Sequence, residues 1–451
     1  MHDYDLIVIG AGSGNMLFTD EMTRMRTAIV EPDRFGGTCL NRGCIPSKML
    51  VVAADAALAV EESARLGVHA RLERVDWPAI RARVFGRIDP LHEQSVAYRR
   101  ASGVDVFTEP ARFIGPRQIQ VGDRAITGEQ IVVASGSRPA IPAIPGLDGV
   151  EFHTSDTIMR IAEVPRSMAV IGGGFIAAEM GHVFAAFGSA VSIVQRGPRL
   201  LMAEDEAVSQ RFTDQAARRF DLHLDTVVTS VERSATGVAV TVTGPAGPAV
   251  LDVEVLLVAA GRQPNTDLLD ATAAGLALDA HGHLVTDETY RTNVAGVWSL
   301  GDATNHFQLK HMANAEMRVL THNLIHPEAL RRLPTGLAPH AVFSHPQIAG
   351  VGLTEAQAVE QGIDHVVAVR PYSDTAYGWA LEDTESFVKL VADPTTRLLL
   401  GAHIIGPQAA TLLQPLLQGM MLGLTVDQLG REVLYVHPAL TEVVEQALLE
   451  L

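Results

Sequence analysis

The sequence predicts an α/β protein with two strand–turn–helix units and a C-terminal α+β region, and three observations predict it. LIVIGAGSGN and AVIGGGFIAAE each set glycines directly after a short apolar run and before a helical pattern, so one unit is repeated within the chain. Each unit is followed by short β-prone runs, broken by Gly and Pro from Arg112 to Ala134 and alternating in TVVTSVERSATGVAVTVTG, which suits antiparallel strands. From about Pro339 to Leu451 strands and helices mix, with no third glycine fingerprint.

At about 150 residues per domain, 451 residues make roughly three globular units, and a 47% apolar composition supplies their cores. The formal charge of −17, from 35 basic and 52 acidic residues, repels phosphate backbones and anionic membrane surfaces, which argues against a nucleic-acid binder. Only Lys48, Lys310 and Lys389 among the basic residues are lysine. The N-terminus, MHDYDLIVIGAG, carries Asp3 and Asp5 where a secretory leader carries basic residues, and reads as the first strand of a cytoplasmic protein. Leu398 to Leu424 is strongly apolar, but His403, Pro407, Gln408, Gln414, Pro415 and Gln418 interrupt it, so no membrane segment is expected.

In the first unit the strand must turn abruptly through Gly10, Gly12, Ser13 and Gly14 while the backbone approaches a pyrophosphate at a helix N-terminus, and Cβ atoms would obstruct that approach. The next strand, TAIVE, ends at Glu31, where a carboxylate takes adenosine ribose hydroxyls and disfavours a 2′-phosphate. The third position of the pattern falls on Asn15 instead of glycine, and the surplus Gly14 partly compensates. The β-prone region closes in IVVASGSRP, with Ser135 and Gly136, and Pro139 to Gly149 reads as a linker. In the second unit Gly172, Gly174 and Ala177 hold the positions of the pattern, and Ile176 and Glu179 beside them are candidate nucleotide-binding residues. Its second strand, AVSIV, ends at Gln195, Arg196 and Arg199 with no acid, so two cations can meet a 2′-phosphate and NADPH is expected there. VLLVAAGRQPN, with Gly261, leads out of this unit.

The chain has two cysteines, Cys39 and Cys44, in GGTCLNRGCIPSK, before a helical stretch expected from about Lys48 to Leu66. In an undistorted helix residues five apart lie more than about 8 Å apart between α carbons, beyond the disulfide reach of about 4.4 to 6.8 Å. Gly43 and Pro46 supply a distorted start, and a strained ring at a helix N-terminus favours a reducible disulfide and a lowered thiolate pKa. Zinc is excluded because no further cysteine exists and no histidine lies close in sequence. On these residues alone, a pair of buried thiols remains the alternative.

Together the blocks GAGSGN, VE, GGTCLNRGCIPSK, ASGSRP, GGGFIAAE, AAGRQPNT, GVWSLGDA, VFSHPQIAGVGLTE and HPALTE resemble the flavin-dependent pyridine nucleotide–disulfide oxidoreductases over essentially the full chain. The resemblance implies two Rossmann-like dinucleotide-binding domains and a C-terminal α+β dimerisation domain, with FAD on the first fingerprint and NADPH on the second. The implied segments are an FAD-binding part over 1–149, an NADPH-binding domain over 150–272, a second FAD-binding or central part over 273–336 and an interface domain over 337–451. Gly37, Thr38, Ala111 and Asp302 would lie along the FAD, and Lys48 would pair with Glu179 beside it. His437, oriented by Glu442, would reach the first cysteine of the partner chain in a homodimer.

The same resemblance implies hydride transfer from NADPH to flavin, electron transfer to the disulfide through Cys44, and attack on a substrate disulfide by Cys39. His437 would protonate the leaving thiol and Cys44 would resolve the mixed disulfide. Both cysteines are thus committed, which argues against the mercury-reducing and large thioredoxin-reducing branches with their extra C-terminal redox groups. The arginine-free stretch Asn15 to Glu21 disfavours glutathione. GSGN, Gln347 after Pro346, and AYGWALEDTESFVKL resemble the branch that reduces mycothione, the disulfide of mycothiol. Dihydrolipoamide dehydrogenase is the rival reading, disfavoured by Gln195 and Arg196. A non-catalytic nucleotide-binding redox sensor is the other, and it would not require Cys39, Cys44, His437 and Glu442 together.

Overall fold

The computed structural model describes residues 2–22, 24–333 and 336–451. They form two compact units, one of Met1–Ser47, Ala79–Ala140 and Gly261–Gly336, the other of Lys48–Pro78, Ile141–Ala260 and Leu337–Leu451.

In the first unit parallel strands stand in the order Asp105–Phe107, Thr27–Val30, Tyr4–Ile9, Arg124–Val133, Val297–Ser299. Leu6 and Val8 enter one apolar cluster with Leu17, Ile29 and Trp298, while Ile7 and Ile9 enter another with Ala28, Val30 and Phe113. This is the period of two of a strand covered on both faces. The strand Arg124–Val133 serves two sheets. Its first half pairs antiparallel with Gln118–Val121, which pairs with Ala111–Gly115, and its second half runs parallel to Tyr4–Ile9. The β-prone runs from Arg112 to Ala134 are therefore an extension of the parallel sheet.

The first fingerprint does not open the expected α-helix: Gly14–Met16 and Asp20–Met22 are single 3-10 turns. Arg99, on the helix Pro90–Ala101, gives the physical reason. Its Nε donates to Asn15 Oδ1 at 2.7 Å, and its guanidinium also takes the Asn15 carbonyl. In an α-helix that carbonyl would accept the N–H of Thr19. The side chain at the third position of the pattern has become a tertiary contact.

In the second unit parallel strands stand in the order Asp221–His223, Ala190–Val194, Ser167–Ile171, Val255–Val258, and the helix Phe175–Ala186 follows the second fingerprint directly. The alternating segment forms the antiparallel strands Val227–Arg233 and Val238–Gly244, and Gly247–Val253 adds a third. Pro139 to Gly149 is packed at its C-terminal end: Ile144 and Leu147 join the apolar cluster of Val231 and Val240, and the Pro145 carbonyl accepts the Val231 N–H at 2.9 Å. Residues 340–405 form an antiparallel sheet in the order His340–Val342, Ile348–Gly352, Leu399–Ile405, Phe387–Ala392, Val366–Pro371. Helices Ala409–Leu422 and Thr441–Glu450 pack on it through Leu412, Leu416, Val444 and Leu448. The apolar run from Leu398 is thus a buried strand followed by a core helix.

The helix expected from Lys48 starts earlier, at Cys44, and runs to Glu62. The stretch Gly37–Leu66 is long and apolar enough to cross a membrane. A break at Gly43 interrupts it, however, and Lys48, Asp55 and Glu62, one heptad apart, pair with Glu179, His182 and His345. Those are the contacts of a helix packed within its own unit.

Candidate active site

Cys39 sits in the short helix Gly37–Arg42, and Cys44 is the first residue of the next helix. Between them Gly43 leaves helical geometry, with φ −137° and ψ −118°. Pro46 follows within the first turn, where its missing N–H is not needed. The sequence places a distortion between the cysteines, and the chain meets that need by ending one helix and starting another. Cys44 is exposed and Cys39 half-buried. The Cys39 thiol is pushed above its ordinary range, first by its hydrogen bond with Cys44 and then by burial, while Lys310 pulls it down. This runs opposite to the lowered value expected from the sequence, because a neighbouring sulfur and desolvation outweigh the local positive charge.

The first fingerprint lies against this segment. Gly10 has φ +105°, and a Cβ on it would lie 2.2 Å from the Ala134 carbonyl oxygen. A Cβ on Gly37 would lie 2.8 Å from the Gly12 α carbon, so the turn and the cysteine helix approach through two glycines. Glu31 follows the strand Thr27–Val30; its carboxylate accepts the N–H of Ala11 at 2.8 Å and of Asp33 at 3.0 Å, and burial pushes it up. Thr38 stands on the helix beside Cys39. Ser13 is buried, its hydroxyl bound to Asn314 and Lys310, and Gly14 packs where a Cβ would strike Val8 and Ala134. Asp302 accepts a 2.6 Å hydrogen bond from Ser137, and the Ala111 side chain lies in the core. Ser135 Oγ and Asn41 Oδ1 are buried with no hydrogen-bond partner among the described residues. Buried polar atoms of this kind call for a partner, and the glycine approach leaves backbone N–H groups exposed to one, so these residues fit FAD.

In the second unit Gly172 repeats the first contact: with φ +112°, its Cβ would lie 2.4 Å from the Ala259 carbonyl oxygen. Gly174 caps the helix Phe175–Ala186, which carries Ile176 and Glu179, and open space surrounds the positions of Cβ on Gly174 and Gly261. A helix N-terminus facing open space fits the pyrophosphate of a nicotinamide nucleotide. Arg196 is exposed, whereas Arg199 is held by Glu206 at 3.0 Å and its Nε is buried without a partner. The two arginines read together from the sequence are therefore unequal.

Lys48 Nζ lies 2.6 and 2.7 Å from the two carboxylate oxygens of Glu179, which also accepts the Phe343 N–H at 3.1 Å. His437 Nδ1 is 2.7 Å from Glu442 Oε1, and the other Glu442 oxygen accepts the Ala439 N–H. The hydrogen bond from His437 holds the Glu442 carboxyl below its ordinary range. The His437 side chain is 72% exposed, and Leu434 and Val436 beside it are exposed apolar residues.

Sequence reasoning passed over Asn41, whose amide donates to the carbonyls of Phe35 and Gly37 and so fixes the turn before Cys39. It also passed over Lys310, counted only as a lysine, although the rarity of lysine in an arginine-rich chain was a usable signal.

Residues 4–317 match the family described as pyridine nucleotide-disulphide oxidoreductase, and residues 338–448 match its dimerisation domain. The chain is 44% identical to the mycothione reductase of Mycobacterium tuberculosis, covering 100% of both chains. It is 31% identical to a mercuric reductase of Staphylococcus aureus, over 95% of this chain and 79% of that one, and 30% identical to a dihydrolipoyl dehydrogenase of Chlamydia muridarum, over 99% and 96%. Among solved structures, the HOCl-induced flavoprotein disulfide reductase RclA from Escherichia coli superimposes with a TM-score of 0.87 at 27% identity, over 99% of each chain. With two nucleotide-binding turns, a cysteine pair at a broken helix and matches to both of the family's domains, this chain belongs to the pyridine nucleotide-disulphide oxidoreductases, FAD- and NAD(P)H-dependent enzymes of disulfide reduction.

Proposed function

We propose that the protein is a cytoplasmic homodimer that uses NADPH to reduce mycothione to mycothiol. The observation that carries the substrate is the full-length 44% identity to a mycothione reductase, against 30 and 31% for the dihydrolipoyl dehydrogenase and mercuric reductase. The arginine-free stretch from Asn15 to Glu21 agrees with a disulfide that lacks glutathione's carboxylates. Exposed Arg196 supports NADPH as the donor. The match of residues 338–448 to a dimerisation domain and the exposed apolar residues beside His437 support the dimer.

Bound FAD supplies the link between a two-electron hydride donor and a disulfide that cannot accept hydride. The chain's residues do the rest. Glycine turns admit the two pyrophosphates, Glu31 offers a carboxylate beside the first, and Glu179 holds the Lys48 ammonium in place. The Cys39 thiolate attacks one substrate sulfur; its new S–S bond forms as the substrate bond breaks, and the leaving thiolate takes a proton from the partner subunit's His437. Cys44, as thiolate, then attacks Cys39, closing the Cys39–Cys44 disulfide and releasing the second half of the substrate as a thiolate. The test is to reduce the FAD-loaded enzyme anaerobically with NADPH and reoxidise it with mycothione, lipoamide or glutathione disulfide. Rapid reoxidation by mycothione is expected; reoxidation by lipoamide alone would overturn the substrate.

A further inference from the structure

Lys310 begins the helix Lys310–Ile325, outside both glycine turns. Of the chain's three lysines, Lys48 is bound by Glu179, and Lys389 is bound by Asp205 at 2.9 Å and Glu355 at 2.7 Å. Lys310 has no carboxylate ion-pair partner among the described residues. Its Nζ donates to Ser13 Oγ at 3.0 Å, and Ser13 donates to Asn314 Oδ1 at 3.1 Å, one turn along the same helix. Burial pulls the Lys310 ammonium below its ordinary range, and the groups that oppose this are Cys39, Cys44 and Asp302. Asp302 is itself bound by Ser137. A half-buried ammonium without a carboxylate ion pair gains from a nearby negative charge, and the sulfur pair can supply one when it is reduced.

We propose that Lys310 is a positioning residue for the redox sulfurs: Ser13 and Asn314 hold its ammonium where it stabilises the thiolate of the reduced Cys39–Cys44 pair. The inference rests on the disulfide-reductase reading. The oxidised pair is neutral and the singly deprotonated dithiol is an anion, so a fixed cation favours the reduced, nucleophilic form. Ser13 ties that cation to the first nucleotide-binding turn, and one side chain thereby links the cofactor loop to the sulfurs. Ser13, which anchors the ammonium, follows Gly12, and a Cβ on Gly37, two residues before Cys39, would lie 2.8 Å from the Gly12 α carbon, so the anchored ammonium stands beside the cysteine helix. The charged and titratable groups acting on it are the two cysteines and Asp302, each from a different element.

The test measures alkylation of the reduced holoenzyme by iodoacetamide across pH, with mass spectrometry counting S–C bonds formed as iodide leaves, in wild type, Lys310→Met, Lys310→Arg and Ser13→Ala. For Lys310→Met the profile is expected to move up by about one pH unit, which lowers the alkylation rate at neutral pH about tenfold. Lys310→Arg, which keeps the charge, stays near wild type, and Ser13→Ala, which loosens the ammonium, moves the same way by less. Superimposable profiles for wild type and a flavin-loaded Lys310→Met would overturn the proposal. If Lys310→Met loses its flavin, Ser13→Ala decides: an unmoved profile overturns it. Failure of wild-type Cys39 and Cys44 to alkylate only after reduction would instead overturn the disulfide reading on which the proposal stands.

Discussion

The Lys48 ammonium is gripped by both oxygens of Glu179, at 2.6 and 2.7 Å, although 131 positions separate them. Glu179 is 6% exposed and Lys48 34%, so the acid is the more desolvated partner. Lys48→Ala should therefore cost more stability than Glu179→Gln, because among the described residues it leaves the buried carboxylate with only the Phe343 N–H. About 3 kcal/mol is expected for the first and less for the second, measured by denaturant unfolding of the holoenzyme. Equal losses would mean that the pair's geometry, and not the buried charge, sets the cost.

The break at Gly43 separates the cysteines into two helices and gives them different exposure, so their replacements should differ. Cys39→Ser is expected to retain flavin and abolish disulfide turnover. Cys44→Ser should accumulate a mixed disulfide between Cys39 and one half of the substrate, because the resolving sulfur is gone. Intact-protein mass spectrometry after exposure to mycothione distinguishes the two, and an adduct on Cys44 in the Cys39→Ser protein would reverse the assigned roles.

Asp205 is 1% exposed, caps the helix Glu206–Ala216 through the Ala207 N–H, and holds the buried Lys389. Burial alone would raise its carboxyl, but the Lys389 hydrogen bond and nearby positive charge bring it below its ordinary value of 3.8. A carboxyl depressed on folding adds stability that is complete above its unfolded value and lost as pH falls through the folded one. The contribution should therefore persist to about pH 4 and disappear below it. Lys389→Met strands Asp205 and is expected to cost about 3–5 kcal/mol at neutral pH, with a shallower acid limb in the unfolding profile. An unchanged acid limb would dissociate Lys389 from the pH dependence.

What could be read from the sequence was what local sterics impose. Gly10 and Gly172 were legible as glycines of a strand that turns abruptly toward a helix; the structure adds that a Cβ on either would strike a neighbouring carbonyl oxygen. The missing first helix was illegible because its cause, Arg99 on the Asn15 carbonyl, lies far along the chain. Lys310 was missed for the same reason: its anchor is Ser13 and its charge partners are the cysteines, all brought together only by the fold. Lys48 and Glu179 could be paired beforehand through family resemblance, not through spacing.

His437 stands 72% exposed with its Nδ1 on Glu442, so its other ring nitrogen is free of the glutamate and can serve a proton at a second molecule. His437→Gln should lower disulfide turnover by about 10²–10⁴-fold while leaving the NADPH-driven bleaching of the flavin unchanged. Glu442→Gln should produce a smaller loss, because the imidazole stays in place but loses the carboxylate that orients its Nδ1. Stopped-flow bleaching compared with steady-state turnover checks both, and a matching loss in both half-reactions would remove His437 from the disulfide step.

Arg196 and Arg199 follow the same strand but meet different surroundings. Arg199 is already neutralised by Glu206 at 3.0 Å, whereas Arg196 is exposed to an incoming phosphate. Arg196→Gln is therefore expected to raise the KM for NADPH about tenfold with little effect on NADH, the loss of one charge-assisted contact. Glu206→Gln, by releasing Arg199, should lower the KM for NADPH and leave NADH unchanged. Initial rates with the two nucleotides at fixed mycothione measure both effects. If Glu206→Gln moved the two nucleotides equally, Arg199 would be a structural arginine and the 2′-phosphate preference would rest on Arg196 alone.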